Sequence, residues 1–184
     1  MATKIKSKAG LNKMFKGCSE EVREYFKHVP KLLDAFPMQV CLAYVFSRME
    51  LGQNMALYCG VVKIHKAKAT VASNVVSTQH MTRAKFVELY STVFDVDLPK
   101  TAHDDLKSAE RIRDQIMHGK KTKDDKVRNA IARVLEYAEE VNKQLHAKYR
   151  LKPFGKLQGF SGRAEKLDAR TTKFLLKGMG FAID

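Results

Sequence analysis

Residues 127–149 read VRNAIARVLEYAEEVNKQLHAKY, the longest amphipathic stretch in the chain. Charged residues separate apolar ones that recur every three or four positions over about six helical turns, namely Val127, Ile131, Val134, Ala138, Val141, Leu145 and Tyr149. This spacing predicts a long helix that buries one face. Asp124 or Asp125 is expected to cap its start, and Pro153 lies beyond its end.

The preceding residues repeat the helical spacing in several shorter segments. A second long, largely buried helix is predicted near residues 38–65 from Met38, Leu42, Val45, Met49, Gly52, Ala56, Cys59 and Val62. Further helices are expected from Ser19 to His28, over 71–77, after Thr82 and after Thr101. The β-branched residues of 71–77 would also suit a strand. Together these segments predict an all-α fold, an antiparallel bundle of four to five helices with a basic C-terminal appendage.

A chain of 184 residues is long enough for one domain with a single core. Residues 1–18 carry lysines and no acid before Ser19, which indicates a flexible basic arm. We therefore expect a helical bundle over 19–150 and a basic tail with a short helix over 151–184, where glycines separate short basic stretches.

Charge is the strongest global feature, with a formal net charge of +14 and a pI near 9.7. Residues 143–177 contain ten Lys or Arg against two acids. This excess favours a polyanionic partner. The tail also holds Phe154, Phe160 and Phe174, which could either stack on bases or dock the tail onto the bundle.

Several classes of site and location are disfavoured by the sequence. Three cysteines without C-x-x-C spacing predict neither a disulfide framework nor a zinc site, and no metal or cofactor is expected. No apolar run approaches the ~20 residues of a membrane span. The first ten residues do not resemble a signal peptide. We therefore expect a cytoplasmic protein without membrane contact.

The chemistry is concentrated in one short segment, Arg113-Asp114-Gln115-Ile116-Met117-His118, near the end of a predicted helix. It places a fixed cation and a titratable acid or base close to each other. Gly119 is expected to end the helix in the left-handed conformation. In a regular helix Asp114 and His118 share one face, whereas Arg113 and His118 diverge by ~140°. Either the helix unwinds at His118, or two copies of the segment meet across a dimer axis.

This segment and the helix order around it resemble the HEPN domains, whose signature is R-x(4 to 6)-H, often with Asn or Asp after the Arg. The similarity spans roughly residues 19–150. It implies a homodimer whose two motifs line one cleft and, in many members, a metal-independent endoribonuclease with a toxin, phage-defence or RNA-processing role. An antitoxin or regulatory protein is an implied partner. One subset of the family has a Tyr two residues after the His, where this chain has Lys120.

The resemblance also implies residue roles. Arg113 would hold the scissile phosphate, and His118 would act as general acid or base. Asp114 would orient His118 or Arg113. Lys120 and Lys121 add positive charge beside the proposed cleft and would bind further phosphates.

Two plainer interpretations remain open from the sequence. Arg113 could pair with Glu110 on the preceding turn, and His118 could simply suit the negative end of the helix dipole. In that case the chain would be a non-catalytic helical module that binds RNA or a protein.

Overall fold

The computed structural model describes residues 5–156 and 166–183, and these form an all-α bundle. Within those ranges the chain has nine α-helices and no strand. Their bounds are α1 Lys8–Lys16, α2 Glu20–Tyr25, α3 Val29–Ala35, α4 Met38–Cys59, α5 Ala69–Thr78, α6 Arg83–Phe94, α7 Lys100–Met117, α8 Asp124–Tyr149 and α9 Ala169–Gly178. The predicted all-α fold is confirmed.

The centre of the bundle is α8, which packs against α1, α2, α4 and α7. The predicted stripe is buried from Val127 to Leu145. Its predicted cap is wrong, because the N-cap residue is Lys123, and Asp124 and Asp125 lie in the first turn instead. There their charges still favour the positive end of the helix dipole.

The second long helix, α4, continues into a π-helical turn at Gly60–Ile64, so the predicted element to residue 65 is confirmed in two parts. Gly60 allows α6 to approach closely: a Cβ atom there would lie 2.4 Å from Cγ1 of Val93. The shorter element over 71–77 is also helical, as α5, and Thr82 caps α6 by accepting from the amide of Lys85.

The N-terminal segment differs from the predicted flexible arm over residues 5–18. Leu11 and Phe15, one turn apart on α1, are buried against α8. The Ile5 amide donates to Asn129 Oδ1 at 2.8 Å, which fixes the start of the segment. Burial of this apolar pair therefore holds α1 on the bundle, and the surrounding lysines lie on its solvent-exposed side. Residues 1–4 of the predicted arm lie outside the described ranges.

The helix predicted from Ser19 to His28 is shorter than expected. Ser19 caps α2 as predicted, by accepting from the amide of Val22, but α2 ends at Tyr25. The chain turns at Phe26, which is fully buried, and a second helix starts at Val29 with Pro30 in its first turn. The chain thus leaves the helix at the position where the Phe26 ring is buried in the core.

The start of the C-terminal segment belongs to the core. Phe154 is fully buried, and its backbone amide and carbonyl pair with the side chain of Asn142 at 3.0 and 2.9 Å. Of the three tail aromatics, Phe154 therefore docks onto the bundle, Phe174 is exposed, and Phe160 lies outside the described residues. The predicted short helix is α9, which packs on α5.

Two findings concern the described residues as a whole. None of their helices combines the length and apolar character needed to cross a lipid bilayer. All three cysteines are free and buried.

Candidate active site around Arg113 and His118

The motif lies at the C-terminal end of α7, and a well-formed cap fixes where the helix stops. Gly119 has φ +70°, the left-handed conformation that was predicted for it. Its amide donates to the Ile116 carbonyl at 2.9 Å, and the Lys120 amide donates to Gln115 at 2.8 Å. These two bonds form the Schellman arrangement. His118 is therefore the C-cap residue of α7.

Arg113 is held in place by three neighbours. Its Nη1 donates to Oε1 of Glu50 on α4 at 2.9 Å, and its Nε and Nη2 donate to Oδ1 of Asp114 at 3.1 Å. The guanidinium carbon lies 4.8 Å from the centroid of the Phe46 ring, within cation–π range. The Arg113 side chain keeps 30% of its surface exposed. The guanidinium is thus oriented by protein and still open to solvent.

Asp114 orients Arg113, which is one of the two roles that the resemblance implied for it. Its side chain is 55% exposed, so the ion pair with Arg113 is solvated. Exposed ion pairs are weak, typically below ~1 kcal/mol, so a phosphate could displace this carboxylate at small cost.

His118 is exposed, and within the described residues its imidazole has no hydrogen-bond or ion-pair partner. Its backbone amide donates to the Asp114 carbonyl at 3.0 Å, so the residue still follows the helix. The imidazole is therefore open to contact by an incoming molecule.

Lys120 and Lys121 follow the cap and are both exposed. In the part of the chain that the structure describes, neither side chain forms an ion pair with a carboxylate. Two cations without a carboxylate partner among the described residues thus follow Gly119.

The simplest alternative for Arg113, a pair with Glu110, is wrong. Glu110 is 7% exposed and forms its ion pair with Arg83, at the start of α6. Burial disfavours the charged form of Arg83 and lowers its pKa, while the nearby Asp114 opposes that effect. A second arginine thus lies close to the motif, but it is already neutralised by a buried acid.

By the geometry of a regular helix, Arg113 and His118 project from different sides of α7. Because α7 stays regular up to the His118 amide, the ~140° divergence expected for positions five apart holds. Beyond the His118 amide the chain leaves the helix: α7 ends at Met117, His118 has φ −88° and ψ 17°, and Gly119 is left-handed. The meeting of two copies of the segment across a dimer axis, the second remedy, stays a prediction.

Two cavities of the described residues lie away from the motif. One of about 500 Å³ is lined by residues of α2 and α8 such as Glu21 and His146, and one of about 390 Å³ by residues of α7 and α8 such as Asp105 and Tyr137. Among the described residues no group of three or more His, Cys, Asp or Glu could hold a metal ion.

Of the residues that position Arg113, sequence reasoning missed Phe46, and for Glu50 it favoured a solvated surface role over a position at the cleft. Phe46 and Glu50 are one turn apart on α4 and contact the same guanidinium. Their spacing of four was the available signal, but the partner helix was not predictable from it. The glutamate also resembled an ordinary solvated surface residue.

Comparison of the chain with protein-family models, with curated proteins and with solved structures finds no match. Its function must therefore be inferred from its own residues.

Proposed function

We propose that the chain is a metal-independent endoribonuclease of the HEPN type, active as a homodimer. The observation that supports this best is the contrast at the end of α7: Arg113 is oriented by Glu50, Asp114 and Phe46, whereas His118 is exposed and unpartnered. An anchored cation can bind a phosphate in a fixed position, and a free imidazole can move a proton. Both functions serve metal-independent cleavage of RNA.

The reaction requires a 2′-hydroxyl and no added reagent. The 2′-oxygen attacks the neighbouring phosphorus while an imidazole takes its proton. The bond from phosphorus to the 5′-oxygen then breaks, and that oxygen receives a proton from an imidazolium. The products are a 2′,3′-cyclic phosphate and a 5′-hydroxyl. DNA lacks the nucleophile and should not be cleaved.

Arg113 is suited to hold the phosphate because its guanidinium has unused donors. It carries five N–H groups, and its bonds to Glu50 and Asp114 use three of them. The remaining two can bind phosphate oxygens together. The charge that builds on those oxygens in the transition state would be stabilised by the guanidinium.

A dimer would join the two halves of the site. Twofold symmetry would place Arg113 of one protomer opposite His118 of the other and would give two such pairs. Lys120 and Lys121 would extend the positive surface along the strand on either side. A toxin, phage-defence or RNA-processing role, with an antitoxin or regulatory protein as partner, follows from the resemblance alone.

The test is cleavage of RNA in excess chelator by the full chain and by its His118→Ala variant. Loss of a general acid or base lowers the rate by ~10²- to 10⁴-fold. New 5′-hydroxyl ends should accept phosphate from a polynucleotide kinase without prior phosphatase treatment. Absence of cleavage over a broad set of RNAs, or equal cleavage by both proteins, would refute the proposal.

A non-catalytic RNA-binding or protein-interaction module is the second candidate, and one observation favours it. Glu50 and Asp114 together neutralise Arg113 in the free chain, which is the arrangement expected of a structural ion-pair network. In that case neither the full chain nor its His118→Ala variant should cleave any RNA, while binding of RNA or of a protein partner is retained.

A further inference from the structure

The C-terminal helix α9 has a buried face and an unusual outer face. Thr172 and Leu176 are fully buried toward the bundle, and Leu175 is half-buried. Phe174, by contrast, is 80% exposed, which is more than any other large apolar side chain of the described residues. Packing of the hydrophobic core does not account for this exposed phenyl ring, because the face of α9 that contacts the bundle is a different one.

Three cations surround this ring. Arg170, Lys173 and Lys177 are exposed and stand four before, one before and three after Phe174, so that Arg170, Phe174 and Lys177 form one stripe along the helix. Within the described residues none of the three forms an ion pair. Asp168, the nearest acid in sequence, is engaged in capping α9 and accepts from the amides of Arg170 and Thr171.

The loop after the π-helical turn brings further positive charge to the same end of the molecule. The Lys68 amide donates to Thr172 Oγ1 at 2.9 Å, and the Leu167 amide donates to the Lys66 carbonyl at 2.9 Å. Both Lys66 and Lys68 have exposed side chains. Cations from two parts of the chain therefore lie near the start of α9.

An exposed aromatic ring among unpaired cations matches the needs of one ligand class in particular. Single-stranded nucleic acid offers unpaired bases that stack on the ring and phosphates that the cations neutralise. A membrane-binding helix would instead present several large apolar residues on its outer face, whereas this face has Phe174 alone. Duplex RNA keeps its bases stacked inside the helix and offers no face to the ring.

We propose that the outer face of α9 binds single-stranded RNA, with Phe174 stacked on a base and Arg170, Lys173 and Lys177 in contact with phosphates. The choice of RNA over DNA rests on the proposed function, and the site would hold a substrate strand outside the catalytic motif. With ten residues α9 is about 15 Å long, enough for a short run of nucleotides.

The test measures binding separately from cleavage. The full chain carrying His118→Ala is titrated with a fluorescent 12-nucleotide oligouridine, a matched abasic oligomer and a hairpin RNA. Phe174→Ala should weaken binding to oligouridine about 10-fold, and Phe174→Trp should retain it. Phe36→Ala, which removes another exposed ring, should have no effect. On the abasic oligomer, Phe174→Ala should bind like its parent.

The cations have a matched control of equal charge. The triple change of Arg170, Lys173 and Lys177 to Gln should reduce the log-log salt slope by ~2, since each phosphate contact contributes ~0.7 on a single strand. The same change at the exposed Lys31, Lys107 and Lys143 should leave that slope near its original value.

Three results would overturn the proposal: no binding of oligouridine, an equal effect of Phe174→Ala and Phe36→Ala, or an equal loss on the abasic oligomer. Binding of anionic vesicles or of an acidic peptide in place of oligouridine would also overturn it and would identify the other occupant. If the nuclease assay fails while Phe174→Ala still weakens RNA binding, the proposed function fails and the α9 site stands.

Discussion

Glu50 on α4 and Arg113 on α7 are 63 positions apart in sequence, yet Oε1 of the first accepts a hydrogen bond from Nη1 of the second at 2.9 Å. The contact gives Arg113 a defined orientation that a surface arginine would otherwise lack. It also places a negative charge where the proposed phosphate must bind. Glu50 should therefore favour phosphate binding by orienting Arg113 and oppose it by electrostatic repulsion.

Replacing Glu50 by Gln should separate those effects, because the amide keeps an acceptor and the shape but removes the charge. We expect the affinity for a non-cleavable 2′-O-methyl RNA to rise about threefold at low ionic strength, and less at high salt. Binding can be followed by fluorescence anisotropy. Glu24→Gln, at an exposed position on α2, is the matched control and should have a smaller effect. Weaker binding by Glu50→Gln would show that orientation dominates charge.

The two arginines near the motif should differ in their effect on stability. Arg83→Ala leaves the buried Glu110 without its partner, so the free energy of unfolding should fall by about 2–3 kcal/mol. Arg113→Ala breaks only solvated pairs, and its cost should stay below ~1 kcal/mol. Urea denaturation of both variants measures the difference. Equal losses would mean that Glu110 is accessible to water.

The contact between Gly52 and Phe154 should be intolerant of even one methyl group. A Cβ atom on Gly52 would lie 2.2 Å from the Phe154 ring, so Gly52→Ala should reduce stability by about 2 kcal/mol. Adding Phe154→Leu should recover part of that loss, as judged by a double-mutant cycle. Gly178→Ala is the control, because a Cβ there meets no atom within 4 Å. Additive losses in the double variant would refute the contact.

The three cysteines should be unreactive in the folded protein. Burial raises the pKa of Cys18, Cys41 and Cys59 to about 12, and for Cys18 the nearby Glu139 adds to the effect. Because the thiolate is the reactive form, iodoacetamide at pH 8 should label none of them without denaturant and all of them in it. Mass spectrometry counts the labels. Rapid labelling of any cysteine in the native protein would contradict its burial.

The helices were predictable from sequence wherever one apolar face dominates, as in α8 and α4, whereas the β-branched residues of α5 also suited a strand. The end of α7 was predictable too, because Gly119 is suited to the left-handed conformation. The helix α1 was not predicted, because its many lysines indicated a flexible arm despite the helical spacing of Leu11 and Phe15. Nor did any local pattern indicate that Phe154 enters the core, because that depends on the space left by Gly52 on another helix.

The site was predictable only in part for the same reason. Arg113, Asp114 and His118 are neighbours in sequence, and their motif could be recognised there. The contacts of Arg113 with Phe46 and Glu50 depend on how α4 and α7 pack. The packing of these two helices depends on the whole core. The apolar spacing within one helix does not specify it.

Mixing two inactive variants tests most directly whether Arg113 and His118 act on one phosphodiester from opposite protomers. Arg113→Ala and His118→Ala proteins, each inactive alone, are refolded together so that half of the dimers contain both chains. Each mixed dimer then has one intact pair of Arg113 and His118 out of two, so RNA cleavage should return to about a quarter of the wild-type rate. A mixture no more active than its components, with mixed dimers verified by native mass spectrometry and wild-type protein active, would contradict the shared site.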